Sequence, residues 1–475
     1  MRKLLIVILI LLLLLLLSIP SVVGRQAEAQ YRGVVDQLQM SGLRVVRNDY
    51  RRGWFGATAE TELELPLPQR EDEQQVPQHP FRLALVHRIS HGPFYPEGGM
   101  LGERLVIDTE ILSGGQPLFA PDYSATIQTR VGLAGEGHTL IDLPAVDLPA
   151  QKGRPRIQFQ GAKGDIAFRT DDGHLVVDMV MPFLQVDNRH GAALEIDGFS
   201  MDGAYRRDAS GLMLGQGGLA IKRMAIQSQG DVGSMALQDL QVGVESSVEQ
   251  GLVKGRINYR IAAMAMEGET YGQLDLDLRL ANFSAPVLAR LQQAMEEMGG
   301  QGLPPDQQGM ALLSVLMGNG DELLRGDPRF SIERLYAQTP AGIIDGRFEL
   351  QPVGLEWAEI SRLDLVMGKL RGEAALRMPE SSFRALFAQQ ARQALELQLE
   401  QRRMQGQEMP PMSPEQLEAQ VAAIAGQQLE TLLQQQVLVR TERGIETVAH
   451  LADGLLTVNG KTIPLAMMMA PQPAQ

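Results

Sequence analysis

From Ala57 onward small and apolar side chains occupy Ala57, Ala59, Thr61, Leu63, Leu65 and Leu67, while Glu60, Glu62 and Glu64 take the other parity. That is the period of a half-buried strand with one dry face and one wet face. The same period runs through LVIDTEIL (Leu105 to Leu112), HLVVDMVMPFLQV (His174 to Val186), AALEIDGF (Ala192 to Phe199) and LVKGRINYRIAAMAM (Leu252 to Met266). It is clearest in YGQLDLDLRL, where Leu274, Leu276, Leu278 and Leu280 alternate with Asp275, Asp277 and Arg279. Turn chemistry breaks the runs: DDG at Asp171 to Gly173, DG at Asp197-Gly198 and Asp202-Gly203, and NG at Asn459-Gly460. Strands spaced by turns, without crossover helices, predict an antiparallel meander. No strict repeat length emerges, so a regular solenoid is not supported.

A helical period appears first in Gln26 to Leu43, with apolar groups at Tyr31, Val34, Val35 and Leu38. It returns in two pairs. Ser284 to Met298 and Gln308 to Leu324 flank GGQGLPPD, with Ser284 as a cap before Pro286. Pro379 to Gln407 and Ser413 to Gln435 flank EMPPMSPE, and here Phe383, Leu386, Phe387, Ala391, Ala394 and Leu395 form an apolar stripe among glutamines. That stripe either packs on the sheet or meets a partner. RFSIERLYA, GIIDGRFELQPVG and KLRGEAALRM lie between the pairs and read as strands, as does the stretch after the second pair.

The amino terminus changes the picture. Leu4 to Val23 holds 20 residues without a charge, close to the ~20 a helix needs to cross ~30 Å of hydrocarbon. The competing reading is a cleaved signal with small residues at Ala27-Glu28-Ala29, but that site lies beyond Arg25 and well past the leucine run. Arg2 and Lys3 retain the amino terminus in the cytoplasm. The expectation is a single-pass inner-membrane protein held through Leu4–Val23, with its bulk in a Gram-negative periplasm. The expected order is a cytoplasmic tip (1–3), the anchor (4–23), a stalk helix and linker (24–50) and an antiparallel β region (51–283). A helical hairpin (284–326), a β segment (327–378), a glutamine-rich hairpin (379–436), closing strands (437–465) and a disordered tail (466–475) follow. The fold class is α+β and β-rich: a transmembrane helix, then an extended curved antiparallel sheet covered by the two helical hairpins.

Composition mostly excludes. The net charge of −14 argues against a nucleic-acid partner, which needs clustered Lys and Arg. Cysteine is absent, which removes thiol nucleophiles and Cys-held metals. No HExxH or G-x-S-x-G occurs. His87-x-x-x-His91 is the nearest metal pattern, but it has no flanking Glu, and a structural role is favoured. The DG pairs lack the alternating ligands of a calcium loop. GLLTVNGKT places five residues between Gly454 and Gly460 where a phosphate loop has four. Gly215, Gly217 and Gly218 echo a dinucleotide fingerprint without a βαβ unit. Scattered carboxylates fit solvated strand faces better than a glycosidase pair. No catalytic residue, cofactor or metal ligand is assigned, and the chain is not expected to be an enzyme.

The charged start with its apolar span is joined by YRRGWFGA (Tyr50 to Ala57), SHGPF (Ser90 to Phe94), LLRGDPRFSIERL (Leu323 to Leu335) and VNGKTIPL (Val458 to Leu465). Together these phrases resemble the YdgA family of Gram-negative envelope proteins, a family defined largely as a domain of unknown function. The resemblance runs end to end and implies an anchored periplasmic protein with a β-rich body and no established catalytic residues. The leucine-pure anchor and the long glutamine-rich helices depart from the family's pattern. The matched positions read as fold-defining. Gly53 permits a tight turn before Trp54 and Phe55, which either seal the end of a core or sit near lipid headgroups, the first being preferred. His91, Gly92, Pro93 and Phe94 stop a strand, and Gly326, Asp327 and Pro328 start one. Asn459 and Gly460 make a hairpin turn.

Three functions follow as expectations. The first is a binding or scaffold protein whose apolar groove, with adaptable lining from 23 methionines, handles lipids or other amphiphiles. The second is a structural protein that oligomerises or docks an envelope partner through Phe383, Leu386 and Phe387. The third, less favoured, is an envelope hydrolase with two carboxylates or His91 converging in a cleft.

Overall fold

The structure is a computed structural model that describes residues 28, 31–32, 35, 44–53, 56–65, 81–91, 103–119, 124–150, 155–187, 193–228, 230–266, 268–299, 305–404 and 414–464. The Leu4–Val23 span, Trp54, Phe55, Gly92, Pro93, Phe94 and the tail 466–475 lie outside the described residues. Among the described residues no helix is long and apolar enough to cross a membrane. The chain is β-rich and antiparallel, and it divides into two compact units.

The first unit holds β1 (Arg44–Arg52), β2 (Gly56–Leu65), β3 (Phe81–His91), β4 (Glu103–Ser113), β5 (Gln116–Pro117), β6 (Thr126–Gly132) and β7 (Glu136–Leu143). It continues with β8 (Val146–Leu148), β9 (Arg156–Phe159), β10 (Ala162–Arg169), β11 (Leu175–Asp187), β12 (Ala193–Arg207), β13 (Met213–Ser228) and β14 (Gly230–Glu249). Each main strand pairs with its predecessor, in the order β1-β2-β3-β4-β6-β7-β10-β11-β12-β13-β14. β9 takes over the edge of β11 where β10 ends. The predicted meander is therefore present. Two helices, α1 (Ala285–Gly299) and α2 (Pro305–Gly318), belong to this unit and pack on each other.

Three details depart from the sequence pattern. The linker expected to reach residue 50 contributes β1 from Arg44, where a register shift between Val45 and Arg47 breaks the alternation that would have revealed a strand. Asp197-Gly198 and Asp202-Gly203 are not turns: both lie inside the 15-residue β12, which is paired on both sides. Pro182 and Gly198 both drop out of the β11–β12 ladder between the pairs Met181–Phe199 and Phe183–Asp197, so a strand position without a donor lies opposite a glycine at φ 65°. Helix α1 is not capped by the Ser284 side chain as expected. Ser284 Oγ donates to Glu322, and Ala285 N donates to Gly251 O.

The second unit opens with β15 (Leu252–Ile261), β17 (Glu269–Tyr271) and β18 (Leu274–Ser284); the short β16 (Ala263–Met266) belongs from Met264 on to the first unit, where it pairs with β14. After α3 (Gly320–Leu324) come β19 (Arg329–Thr339), β20 (Gly342–Pro352), α4 (Leu363–Lys369) and β21 (Leu370–Met378). The glutamine-rich helices are α5 (Glu380–Met404) and α6 (Pro414–Gln434), followed by β22 (Val439–Thr441), β23 (Gly444–Ala452), β24 (Leu455–Val458) and β25 (Lys461–Pro464). Pairing runs β15-β18-β19-β20-β21-β23-β24-β25. The α5–α6 hairpin covers one end of this sheet: Phe383 and Leu429 are buried with Met378, Leu438 and Ile445, and Phe387 packs against them. Leu386 faces outward at 41% exposure.

Candidate functional site

The registers of the first unit, read across the sheet, sort the side chains onto two faces. One row runs Ala57, Ile89, Ile107, Thr129, Thr139, Ile166, Val177, Gly203, Gly217, Val244 from β2 to β14. Parallel rows on the same face carry Ile141, Gly164, Met179, Met201, Leu219, Val242 and, from β11 on, Met181, Phe199, Ile221, Leu240. A fourth row holds His91, Leu105, Val131, Gly137, Phe168, Leu175 and Tyr205. The opposite face is wet, with Arg88, Asp108, Gln128, Asp165, Asp178 and Asp202 in register. The alternation of period two, held in register by hydrogen bonds, makes one dry side of the whole meander.

The two ends of that dry side differ. Over β2, β3 and β4 it is buried: Ala57, Ala59, Ile89, Leu105 and Val131 form a core, with Tyr31, Tyr50, Ile107 and Phe168 packed on it. Among the described residues the cover here includes the helical residue Tyr31, and no residue of a helical hairpin joins this cluster. From β10 to β14 the dry side chains are mostly half-buried, Val244 is 37% exposed, and among the described residues no helix packs broadly on them. The sheet surface there is low where glycines lie. A Cβ on Gly203 would stand 2.6 Å from Tyr205 Cε2, and one on Gly217 2.2 Å from Tyr205 Oη, so both glycines make room for the Tyr205 ring. With strands ~4.8 Å apart, the uncovered rows from β10 to β14 extend ~19 Å across the strands, and three row spacings of ~6.8 Å give ~20 Å along them. An acyl chain filling one leaflet spans about 15 Å, half of the ~30 Å hydrocarbon core.

The covered end holds buried polar groups. His87 accepts or donates at 2.8 Å to Thr109 Oγ1, Tyr31 Oη lies 2.7 Å from Thr61 Oγ1, and the Tyr31 ring centroid is 5.4 Å from Tyr50 and 5.8 Å from His87. His91 is fully buried, and among the described residues neither of its ring nitrogens nor Tyr50 Oη meets a hydrogen-bond partner. Burial pushes both imidazoles below the usual histidine range and both phenols above the usual tyrosine range. Among the described residues no carboxylate joins the two histidines, and no group of three or more His, Cys, Asp or Glu is placed to hold a metal.

A pocket of about 340 Å³ beside β4 and β6 is lined by Asp108 and Glu110, the nearest arrangement to a carboxylate pair in a cleft. Both are engaged: Glu110 pairs with Arg88 at 3.0 Å and Asp108 accepts from Gln128 Nε2 at 2.6 Å.

The remaining sequence-derived positions serve the fold. Gly53 N donates to Gly56 O at 2.7 Å, closing the turn between β1 and β2. Asp327 sits at φ 50° and its Oδ1 accepts from Gly354 N at 2.7 Å, while a Cβ on Gly326 would meet Asn282 O at 2.5 Å. Pro328 follows directly and β19 begins at Arg329. Asn459 (φ 48°) and Gly460 (φ 82°) turn β24 into β25. Asn459 also accepts from Val448 N and donates to Gln436 O and Val437 O, work that no sequence pattern announces. Phe383 and Phe387 lie in the hairpin core and Leu386 outside it, so the expected stripe is not displayed as one surface.

The second unit repeats the two-faced design. Ile257, Leu278, Ile332, Phe348, Ala374 and Ala449 form one row, with Phe330 and Phe348 rings 6.2 Å apart. On the other face Asp275 and Asp277 are more buried than Leu274, Leu276 and Leu278 beside them, under Arg334 (2.9 Å) and Arg256 (3.5 Å).

Neither a curated protein nor a solved structure matches the chain. A family model described as a bacterial protein of unknown function, DUF945, matches residues 1–466, and the chain belongs to that family.

Proposed function

We propose that this chain is a non-enzymatic envelope protein that holds the apolar chain of a lipid or other amphiphile on the uncovered dry face of β10 to β14. The observation that carries the reading is that face itself: Val177, Met179, Met201, Phe199, Leu219, Leu240 and Val242 stand in register, half-buried, and among the described residues no helix is laid broadly over them. Contiguous apolar surface of this kind on a folded protein marks a binding site, and methionines give it an adaptable lining. The leucine-rich Leu4–Val23 stretch supports an inner-membrane anchor with the bulk of the chain in the periplasm. The end-to-end likeness to the YdgA envelope family supports the same placement.

The full chain, purified from membranes in a mild detergent and examined by native mass spectrometry, is expected to carry bound amphiphile. Replacing both Met201 and Leu219 by Asp is expected to remove it. A wild-type chain free of amphiphile, or a double variant that retains it, overturns the reading.

A second reading has its own observation. Met310, Leu313 and Met317 lie along one side of α2 at 74%, 56% and 57% exposure, a stripe at helical spacing suited to a partner or a second copy. It differs from the stripe expected on α5, and substituting these three residues by Ser is expected to change the oligomeric size only under this reading.

A further inference from the structure

The dry face ends, on the side of Tyr205, in positive charge. Two residues further along β12, Arg207 shares the face and pairs in register with Met213. The two side chains lie together over the β10–β11 turn: a Cβ on Gly173 would stand 2.9 Å from Arg207 Cβ and 3.3 Å from Met213 Sδ. Beside them is a pocket of about 510 Å³ lined by Arg207, Ser210 and Gly211 from the β12–β13 turn and by Ala289, Arg290 and Gln293 from α1. Positions 286, 289, 290 and 293 are one side of a helix, so α1 turns a face bearing one arginine and amides toward the turn that bears the other.

Three acidic groups of the adjoining turns, Asp171, Asp172 and Asp208, are already engaged. Asp208 Oδ1 accepts from Ser210 N, Ser210 Oγ and Leu212 N. Asp171 pairs with Arg169 at 2.7 Å, and Asp172 Oδ1 accepts from His174 N at 3.0 Å. Arg207 makes no ion pair among the described residues. Arg290 Nη1 donates to Asn319 Oδ1, which steadies its guanidinium. In a chain of net charge −14, the Arg207 guanidinium, without an ion pair among the described residues, is a local reversal of sign at the mouth of an apolar face.

We propose that this pocket receives the anionic headgroup, a phosphate or carboxylate, of an amphiphile whose chain lies on the dry face of β10 to β14. The proposal rests on the function proposed above and names the class of ligand. Arginine suits the task because its fork of donors matches phosphate and carboxylate oxygens. Adjacency supplies the rest: a chain lying along β12, over Phe199, Met201 and Gly203, brings its polar end to Tyr205 and then to Arg207.

The test uses the full chain in detergent and two probes of identical acyl chains, phosphatidic acid and diacylglycerol, with inorganic phosphate as a third. Wild type is expected to bind phosphatidic acid at least tenfold more tightly than diacylglycerol, the scale of one charge-assisted contact. Arg207→Gln with Arg290→Gln is expected to erase that preference while leaving diacylglycerol binding unchanged, and Arg207→Lys to retain most of it. If the double variant does not fold by circular dichroism, Arg207→Gln alone serves, since that side chain is exposed. A preference that survives the arginine variants overturns the headgroup site and leaves the apolar face standing. Inorganic phosphate binding as tightly as phosphatidic acid also overturns it, because the pocket would then be a free-anion site. Failure of both lipid probes to bind, or binding unaltered by Met201→Asp, overturns the amphiphile reading itself.

Discussion

His91 is the residue where local chemistry is least at ease. It is fully buried beside Leu105 and Val131, and its ring nitrogens find no partner among the described residues. Burial favours the neutral imidazole there and at His87, with the Arg52 charge adding to the effect at His91. Around them stand Tyr31, Tyr50, Thr61 and Thr109, none of which offers a negative charge at neutral pH. The linkage has a definite sign. Below the ordinary histidine value of 6.5 the unfolded chain binds protons that the folded chain refuses, so stability falls as pH drops through that value and is level above it. Urea unfolding followed from pH 7.5 to 5 is therefore expected to show a midpoint that declines in the acid half of the range, and His91→Leu is expected to flatten the decline. An unchanged slope in that variant would place the titrating group elsewhere.

At the scale of elements, the α5–α6 hairpin separates burial from display. Phe383 is 4% exposed and sits with Met378, Leu429 and Ile445. Truncating such a ring removes its contacts and leaves a cavity, so Phe383→Ala is expected to cost about 3–5 kcal/mol, read from denaturant unfolding, without changing oligomeric size by sedimentation. Leu386→Ser, one helical step away and outward, is expected to stay within about 0.5 kcal/mol of wild type. How far the sequence could lead is visible in these same elements. Helical spacing located the hairpin, but spacing alone does not say which side of a helix finds the sheet. Likewise the alternation in Leu274 to Leu280 marked a strand correctly, yet the carboxylates of Asp275 and Asp277 are the more buried side chains, because Arg256 and Arg334 from neighbouring strands lie over them. Asp197-Gly198 looked like a turn because dipeptide chemistry is local. In the sheet, two flanking ladders pair Asp197 and Phe199 on either side of Gly198, so β12 runs on and this glycine alone, at φ 65°, drops out of the pairing. The apolar face was legible strand by strand. Its continuity was not, since register between strands far apart in sequence is a property of the folded chain.

For the whole molecule the governing quantity is apolar surface left half-covered. A side chain such as Met201 or Leu219 gains about 1.5–3 kcal/mol when fully taken from water, and the rows from β10 to β14 hold many such groups that the described chain does not bury. A ligand that completes their burial binds the folded chain and not the unfolded one. It must then add stability by mass action, about 2.7 kcal/mol at a hundred times its dissociation constant. Chain stripped of amphiphile by detergent exchange is accordingly expected to unfold at lower temperature than chain as purified. Returning an anionic lipid should restore the difference in a concentration-dependent way. The Met201→Asp, Leu219→Asp variant should melt at the same temperature with and without lipid, since a carboxylate planted among the rows resists burial against hydrocarbon. The opposite result, equal melting of stripped and loaded wild-type chain, would mean that the dry face is satisfied by the protein's own fold, and the stability of these strands would then have to come from the sheet alone.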